Sequence, residues 1–416
     1  FVENKIFGFL AIGAIALAVT GTEGIYTDMG HFGRKPIRFA WSLWVWPNLL
    51  LNYFGQGALI ISSPETISHP FFNMVPSWGL YPLICMTTVA TVVASQAVIS
   101  GTYSLTRQAI QLGYCPRLDV FHTSESEIGQ IYMPWINWTL LAAVLLLILS
   151  FGSSSNLASA YGVAVTGMMT IDTVMAYFVV THLWGWRRWY AIPIALTFLV
   201  FDLILFSANS VKVIHGGWFP FTIGLVLFIF FTTWYRGRQA LAKELAPDSL
   251  EIGPFLKSLA SYPPQRVSGT AVFMTTSPNA VPHALLHNLN HNKVLHERVV
   301  LLNVSTEEIP HVAAQERLEV EAITEDFYKV VVRYGFKDQP DIPAARRLGR
   351  EKGIDLNPME TSYFLSRQTL VPKLGKDMAL WREKLFALMS RNSSSAVSFF
   401  NLPANRVVEL GTRIEL

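Results

Sequence analysis

Residues 135–152 read WINWTLLAAVLLLILSFG, a stretch without a single charged side chain. A helix needs about 20 mostly apolar residues to cross the hydrocarbon core of a bilayer, and only a helix or a closed barrel satisfies its backbone there. Strands of membrane barrels alternate apolar and polar residues, whereas the run from Leu140 to Leu149 does not alternate. The stretch therefore predicts a transmembrane helix.

Other stretches of the same character lie before residue 236. The predicted spans are 6–27, 38–61, 79–104, 135–152, 157–182, 188–208 and 217–235. Only 15% of the 416 residues are charged, against about 25% in soluble domains, and the charged residues reach ordinary density from Arg236 onward. We therefore predict an α-helical polytopic membrane domain over 1–235 and a soluble α/β domain over 236–416.

The loop charges predict the orientation of these spans. Lys and Arg concentrate in the cytoplasmic loops of membrane proteins. If the loops are assigned to alternate sides, one side carries only Lys212 and the other carries Arg34, Lys35, Arg38, Arg107, Arg117, Arg187, Arg188, Arg236 and Arg238. The C-terminal domain is therefore expected in the cytoplasm and Phe1 outside. Residues 1–5 do not resemble a signal peptide, so we expect further spans upstream of Phe1, an odd number of them if the N-terminus is cytoplasmic.

The first span ends in a polar segment, 20–28, that reads TGTEGIYTD. Glycines on both sides of Glu23 weaken the helix, and a carboxylate is costly in lipid. A broken helix at membrane depth lines a cavity or is buried in protein. Its free carbonyls, Thr hydroxyls and Glu23 would suit a hard monovalent cation, and Glu23 could also bind a proton. The alternative is that Glu23 merely ends the helix at the cytoplasmic interface.

Further polar residues lie at membrane depth: Asn52, Gln56, Tyr161, Asp172 and Asp202. Asn52 and Gln56 are four residues apart and share a helix face, which predicts packing through hydrogen bonds between helices. Tyr161 could contribute an oxygen to a central site or simply pack. Asp172 has no obvious basic partner and could take part in transport, whereas Asp202 could take part in transport or pair with a helix outside this sequence.

Several blocks of sequence resemble the Kup (KUP/HAK/KT) family of potassium uptake transporters. They are GHFG at 30–33, NYFGQGA at 52–58, ASQAVISG at 94–101, AYGVAVTG at 160–167 and HNLNHNKVLHER at 287–298. The resemblance runs from about Ile6 to the C-terminus. It implies K⁺:H⁺ symporters of the bacterial inner membrane with twelve spans. The first ten of these form two inverted repeats of the LeuT type, and a cytoplasmic domain follows the twelfth.

The resemblance also implies roles for individual residues. Ile6 onward matches the sixth to twelfth spans, so we expect five spans before it. Thr20 and Glu23 match the K⁺ ligands of the sixth helix, Glu23 would couple the proton, and Tyr161 matches the tyrosine of the tenth helix that approaches the ion. The partners implied are K⁺, H⁺ and membrane lipid. We expect no cofactor, no resident metal and no catalytic residue.

The soluble part is predicted to have strands at 269–275, 298–304, 318–323, 328–334 and 360–366, and helices near 279–292, 340–352 and 376–391. His283, His287 and His291 share one helix face, a spacing that metal sites use. The asparagines between them and the absence of nearby Cys or carboxylate favour a polar interface instead. A homodimer through this domain is a further expectation, and nothing indicates nucleic-acid binding.

Two other functions remain open from the sequence. One is a membrane-bound sensor whose cytoplasmic domain binds a ligand, and the other is an amino-acid carrier of the same architecture. A sensor would need neither a broken helix nor carboxylates at membrane depth, so these features favour transport.

Overall fold

The computed structural model describes residues 5–19, 34–123, 131–211, 213–245, 250–275, 277, 279–307, 309–354, 356–371 and 378–415. The chain divides into two compact units. The first comprises Phe1–Ser104 and Phe121–Val226, and the second comprises Leu105–Val120 and Leu227–Leu416. Two of the three boundaries between the units therefore fall within helices, Leu80–Gln111 and Trp218–Leu245, and the third precedes the short strand that begins at Phe121.

Apolar helices make up most of the first unit. Their bounds are α1 Lys5–Val19, α2 Arg34–Ala40, α3 Trp46–Ser62, α4 Pro70–Asn73, α5 Leu80–Gln111, α6 Pro134–Phe151, α7 Ser154–His182, α8 Arg188–Ser210 and α9 Trp218–Leu245. Short 3₁₀ segments lie at Pro64–Ser68, Ser77–Gly79 and Val213–His215, and a short antiparallel ladder pairs β1, Phe121–His122, with β2, Ile131–Tyr132.

Five helices in the described part of the chain are long and apolar enough to cross a membrane, and they correspond to α5 to α9. They coincide with the third to seventh predicted spans. Helix α1 covers only the beginning of the first predicted span, since residues 20–33 lie outside the described ranges. The total of seven spans stays a prediction.

The helix of the second predicted span is not uniform. Between α2 and α3 the residues Trp41–Val45 form a π-helical turn, and the Trp46 N–H donates to the carbonyl of Trp41, five residues back. Such a turn inserts one extra residue into an otherwise regular α-helix. The predicted span at 38–61 is thus one helical run from 34 to 62 with a change of phase inside it.

The second unit is built on a six-stranded sheet with the order β5-β6-β4-β3-β7-β8. All neighbouring strands are parallel except β5, which is antiparallel to β6 at one edge. The strands are β3 Gln265–Thr275, β4 Val294–Glu307, β5 Leu318–Ala322, β6 Phe327–Gly335, β7 Thr361–Val371 and β8 Val407–Glu415. The accompanying helices are α10 Ile252–Ser261, α11 His283–Asn292, α12 Ile342–Glu351, α13 Leu380–Arg391 and α14 Ala396–Phe399, with a 3₁₀ turn at Ala404–Arg406.

The sheet is buried on both faces, and alternate residues of its central strands enter different cores. In β3, Val272 belongs to one cluster and Phe273 to the other. In β4, Val300 lies in the first cluster and Val299 in the second. Strands covered on both faces read as continuous apolar runs, which explains why residues 298–304 were predictable from sequence. The α/β character of the soluble part is confirmed.

Asp338 organises the turn that follows β6. Its carboxylate accepts hydrogen bonds from the backbone N–H groups of Gly335 (2.8 Å) and Val312 (3.0 Å), and it contacts His311 (2.8 Å) and Arg317 (3.4 Å). Burial by itself raises the pKa of Asp338. The hydrogen bonds and the guanidinium outweigh burial, so the pKa lies below its usual 3.8. The ionised form of Asp338 therefore stabilises this turn.

Acid should consequently weaken the second unit through Asp338. A folded-state pKa below the unfolded value contributes stability above the unfolded pKa, and that contribution disappears as the pH falls through the folded value. We expect the free energy of unfolding to decrease below about pH 4. Denaturant unfolding at pH 3–7 of the wild type and Asp338→Asn checks this. The variant should be less stable at pH 7, and its stability should depend less on pH. Equal slopes for the two proteins would contradict the assignment to Asp338.

Candidate ion-transport site

The predicted ion ligands are only partly within the described structure. Thr20 and Glu23 lie outside the described residues. Tyr161 lies on α7, is 38% exposed, and sits between the buried residues Ala160 and Gly162. Helix α7 contacts α1, and the residue that follows the last one of α1 in the chain is Thr20. Tyr161 is thus on a helix that packs against the one leading into the predicted site.

Three helices meet at Asn209, near the C-terminal end of α8. Its side chain is fully buried, and its Nδ2 donates to the carbonyl of Leu205 at 3.0 Å. Its Oδ1 has no hydrogen-bond partner among the described residues. A Cβ added to Gly162 of α7 would lie 2.6 Å from this oxygen, and one added to Gly13 of α1 would lie 3.3 Å from it. The two glycines leave the space that Asn209 fills.

This contact was not foreseen from the sequence. Gly162 was noticed only as part of a family motif, and Asn209 and Gly13 were not singled out. Small residues let helices approach closely in membranes, and polar side chains then join them. The available signal was a glycine on each of two spans and an asparagine on a third, but nothing in the sequence says that these residues meet.

Asp202 has a partner in the neighbouring helix. It lies within α8, is 6% exposed, and its Oδ2 accepts a hydrogen bond from Thr173 Oγ1 of α7 at 2.5 Å. A carboxyl group at membrane depth is costly unless it is paired or protonated. The threonine hydroxyl supplies one hydrogen bond, and α7 and α8 pack along their length. Asp202 thus pairs with α7, a helix of this chain, through a threonine hydroxyl.

Removing the hydroxyl of Thr173 should lower the stability of the folded chain. We expect Thr173→Val to destabilise the folded chain by about 1–3 kcal/mol, because it leaves a buried acceptor unpaired. Replacing both partners, in Thr173→Val/Asp202→Leu, should recover part of this loss. Thr170→Val is the matched control, because within the described residues Thr170 Oγ1 bonds only to the Thr166 carbonyl of its own helix, at 3.0 Å. Thermal unfolding in detergent measures all three, and an equal loss in the control would contradict the pairing.

The remaining intramembrane predictions have different outcomes. Asn52 and Gln56 hydrogen-bond to each other within α3, with Gln56 Nε2 donating to Asn52 Oδ1 at 2.7 Å. Among the described residues neither side chain hydrogen-bonds to another helix, so the predicted interhelical bonds are not observed there. Asp172 is exposed, and no residue of the described part hydrogen-bonds to its carboxylate. These side chains are not brought together with Tyr161.

The histidines of α11 lie on one face, as predicted, and the rings of His287 and His291 stack with their centroids 5.8 Å apart. Within the described ranges, no three His, Cys, Asp or Glu side chains are grouped so that they could hold a metal ion. The polar interface at this face stays a prediction.

The long apolar helices with polar side chains buried between them, followed by an α/β domain, define a multi-pass membrane protein. Residues 1–239 match the family model described as "K+ potassium transporter integral membrane domain". Residues 268–416 match the model described as "K+ potassium transporter C-terminal domain". The chain therefore belongs to the K⁺ potassium transporter family, the family of Kup proteins, as the sequence motifs indicated. Its members are transporters rather than enzymes.

Curated relatives from several bacteria agree with this assignment. The chain is 56% identical over 416 residues to "Probable potassium transport system protein Kup" of Azoarcus sp. (strain BH72), covering all of this chain and 65% of that protein. It is 54% identical over 413 residues to "Probable potassium transport system protein Kup 3" of Dechloromonas aromatica (strain RCB), covering 99% of this chain and 66% of that protein. The chain thus spans just under two thirds of the length of these relatives.

Proposed function

We propose that this chain acts in potassium uptake across the bacterial inner membrane, by K⁺:H⁺ symport. The observation that carries the proposal is the family match over residues 1–239, which includes α1, α7 and α8. These are the helices between which Asn209 and Gly162 are packed. The names of the relatives, each a probable potassium transport system protein, support K⁺ as the transported ion.

In the proposed mechanism, Thr20, Glu23 and Tyr161 contribute oxygen ligands to K⁺. Carboxylate, hydroxyl and carbonyl oxygens replace the hydration shell of such an ion without burying an unpaired charge. Glu23 is ionised when K⁺ is bound and takes up a proton otherwise, which links the two ions. The membrane potential contributes about 2.3 kcal/mol per charge per 100 mV to inward movement. The proposed architecture around this site is the LeuT type.

The proposed orientation places the second unit in the cytoplasm. Its support is the distribution of loop charges, in which the side that carries Lys212 is otherwise free of Lys and Arg. A homodimer through the α/β domain is part of the same proposal. No described contact within this single chain bears on it.

Ion uptake tests the proposal directly. The chain, extended by the part of the Azoarcus relative that the alignment leaves uncovered, is expressed in a bacterial strain that lacks its own potassium uptake. We expect rubidium uptake that rises with an inward proton gradient, and its loss in Glu23→Gln, because the amide cannot carry charge. Tyr161→Phe distinguishes the two roles of this residue. If its hydroxyl binds K⁺, rubidium uptake should fall; if only its ring packs, uptake should stay unchanged.

Controls in the same cells separate the alternatives. Asp172→Asn serves as a matched removal of an intramembrane charge, and wild-type uptake in that variant is expected. Uptake of amino acids in place of rubidium would indicate the amino-acid carrier, and no uptake of either by a correctly inserted protein would favour the sensor. Wild-type kinetics in Glu23→Gln would remove Glu23 from the mechanism.

A further inference from the structure

The last apolar helix, α9, is longer than the bilayer it crosses. The hydrocarbon core is about 30 Å thick and takes about 20 helical residues. A span that begins at Trp218 therefore ends near Arg236 and Arg238, and the rest of α9 continues to Leu245 outside the core. Trp234 and Tyr235 lie at this level, where aromatic side chains concentrate in membrane proteins.

Helix α13 is attached to α9 at this boundary. Arg382 Nε donates to Thr233 Oγ1 at 3.0 Å, and Arg382 Nη2 donates to Thr232 Oγ1 at 2.6 Å. The ring of Phe386, which is buried, lies 5.2 Å from the ring of Trp234. All these residues belong to the second unit. Helix α13 therefore lies beside the turns at which α9 leaves the membrane.

The side of α13 away from this contact is both apolar and basic. Trp381 and Leu388 are each 55% exposed, and Lys384 and Arg391 are exposed as well. These residues recur every three or four positions, so they share one helix face, which we term the outward face of α13. Helices that lie in a membrane interface combine aromatic and aliphatic anchors with Lys and Arg in this way.

Two arginines, Arg117 and Arg238, lie in the same part of the second unit. The backbone carbonyl of Arg117 accepts a hydrogen bond from Ser394 N at 2.8 Å, shortly after the end of α13. Burial, and after it the neighbouring charge of Arg238, together lower the pKa of Arg117 to about 10. Within the described residues, neither guanidinium forms a salt bridge with a carboxylate. Two cations close together favour an anion between them, and arginine binds phosphate in a bidentate manner.

We propose that the outward face of α13, together with Arg117 and Arg238, binds the headgroups of anionic phospholipids in the leaflet where α9 emerges. The apolar residues would enter the boundary of the acyl region, and the four basic residues would face the phosphates. Each Lys or Arg near an anionic leaflet adds to the attraction. A free phosphate would use the arginines but not Trp381 and Leu388, and a second copy of the chain would present like charges. The inference concerns lipid and does not depend on which ion is carried.

The experiment uses the full chain in a zwitterionic detergent with added phosphatidylglycerol, phosphatidylcholine or inorganic phosphate. Unfolding temperature and the lipid retained in native mass spectrometry are measured. We expect phosphatidylglycerol to raise the unfolding midpoint by at least about 2 °C and the other two additives to leave it unchanged. Arg238→Gln and Arg117→Gln should each weaken retention about fivefold. Trp381→Ser/Leu388→Ser should remove most of the midpoint shift.

Controls keep the result specific. Arg238, Trp381 and Leu388 are exposed, so their variants decide the question even if Arg117→Gln misfolds. Arg367→Gln is the matched control, since Arg367 is 75% exposed and pairs with Glu409 on the sheet; it should behave as the wild type. Equal shifts with both lipids, or the full shift with phosphate alone, would overturn the proposal. So would dissociation of a dimer in the α13 variants without any change in lipid retention.

Discussion

Replacing Gly335 with Ala is expected to destabilise the second unit by about 3 kcal/mol. Gly335 ends β6, and a Cβ there would collide with the backbone carbonyl of Pro310 and lie 2.6 Å from His311 N. Backbone atoms cannot rotate away as a side chain can. The Pro310 segment is also fixed, because its carbonyl accepts a hydrogen bond from Lys337 N at 3.0 Å. The clash can be relieved only by separating the two segments, which would break the Asp338 turn.

Denaturant unfolding of the full chain in detergent measures this loss. Gly411→Ala is the matched control, because Gly411 also lies in a strand, β8, and a Cβ there would meet nothing within 4 Å. Hydrogen exchange should show the loss of protection at Gly335 N and Val312 N, the two donors to Asp338. If Gly335→Ala were as stable as Gly411→Ala, the backbone at Gly335 could not lie as close to Pro310 and His311 as the structure places it.

Gly162→Ala should have the second-largest effect, a loss of about 1–3 kcal/mol. The new methyl group would lie 2.6 Å from Asn209 Oδ1 and 3.3 Å from Leu17 Cδ2. The Asn209 side chain cannot move away, because it is fully buried and the same Oδ1 also lies close to Gly13. Helices α1, α7 and α8 would have to separate. In the proposed transporter this would also displace Tyr161, so a loss of rubidium uptake should accompany the loss of stability.

Two comparisons make this prediction specific. Gly224→Ala in α9 places a methyl group with nothing within 4 Å, and alanine favours a helix over glycine by about 1 kcal/mol, so this control should be neutral or slightly more stable. The double variant Gly162→Ala/Asn209→Ala should recover much of the loss, since the colliding side chain is gone. Thermal unfolding in detergent measures the stability of each variant. If the double variant is no more stable than Gly162→Ala, the contact with Asn209 is not the cause of the loss.

The central strands of the soluble domain could be predicted from sequence because they are continuous apolar runs. Strand β8, at one edge of the sheet, lacks such a run and was not predicted. The prediction at 298–304 identified the core of β4, but the strand extends over Val294–Glu307, where polar residues pair without a hydrophobic signal. Strand β8 was missed altogether. Its sequence, VVELGTRIE, mixes apolar and charged residues, and it pairs with β7 at the edge of the described sheet. Tertiary pairing, not local preference, makes that segment a strand.

For the intramembrane polar residues, the sequence predicted which residue types lie within the membrane but not which residues they contact. Sequence placed Asp202 and Tyr161 at membrane depth, but which helices they face depends on contacts between distant parts of the chain. Thr173 was therefore not named as the partner of Asp202. For Asn52 and Gln56 the four-residue spacing was correctly recognised, but the same spacing lets the two side chains bond to each other within one helix. Polar spacing alone does not distinguish these outcomes.

The π-helical turn at Trp41–Val45 sets the direction in which the side chains that follow it point around the helix axis. It adds one residue between the basic segment Arg34–Arg38 and the Asn52–Gln56 pair. Successive residues of an α-helix are rotated by about 100°. Deleting one residue from the turn would let the helix run on regularly and point the amide pair about a quarter-turn or more away from its present direction, with its chemistry unaltered. A deletion scan could thus reorient this pair in a way that no substitution can.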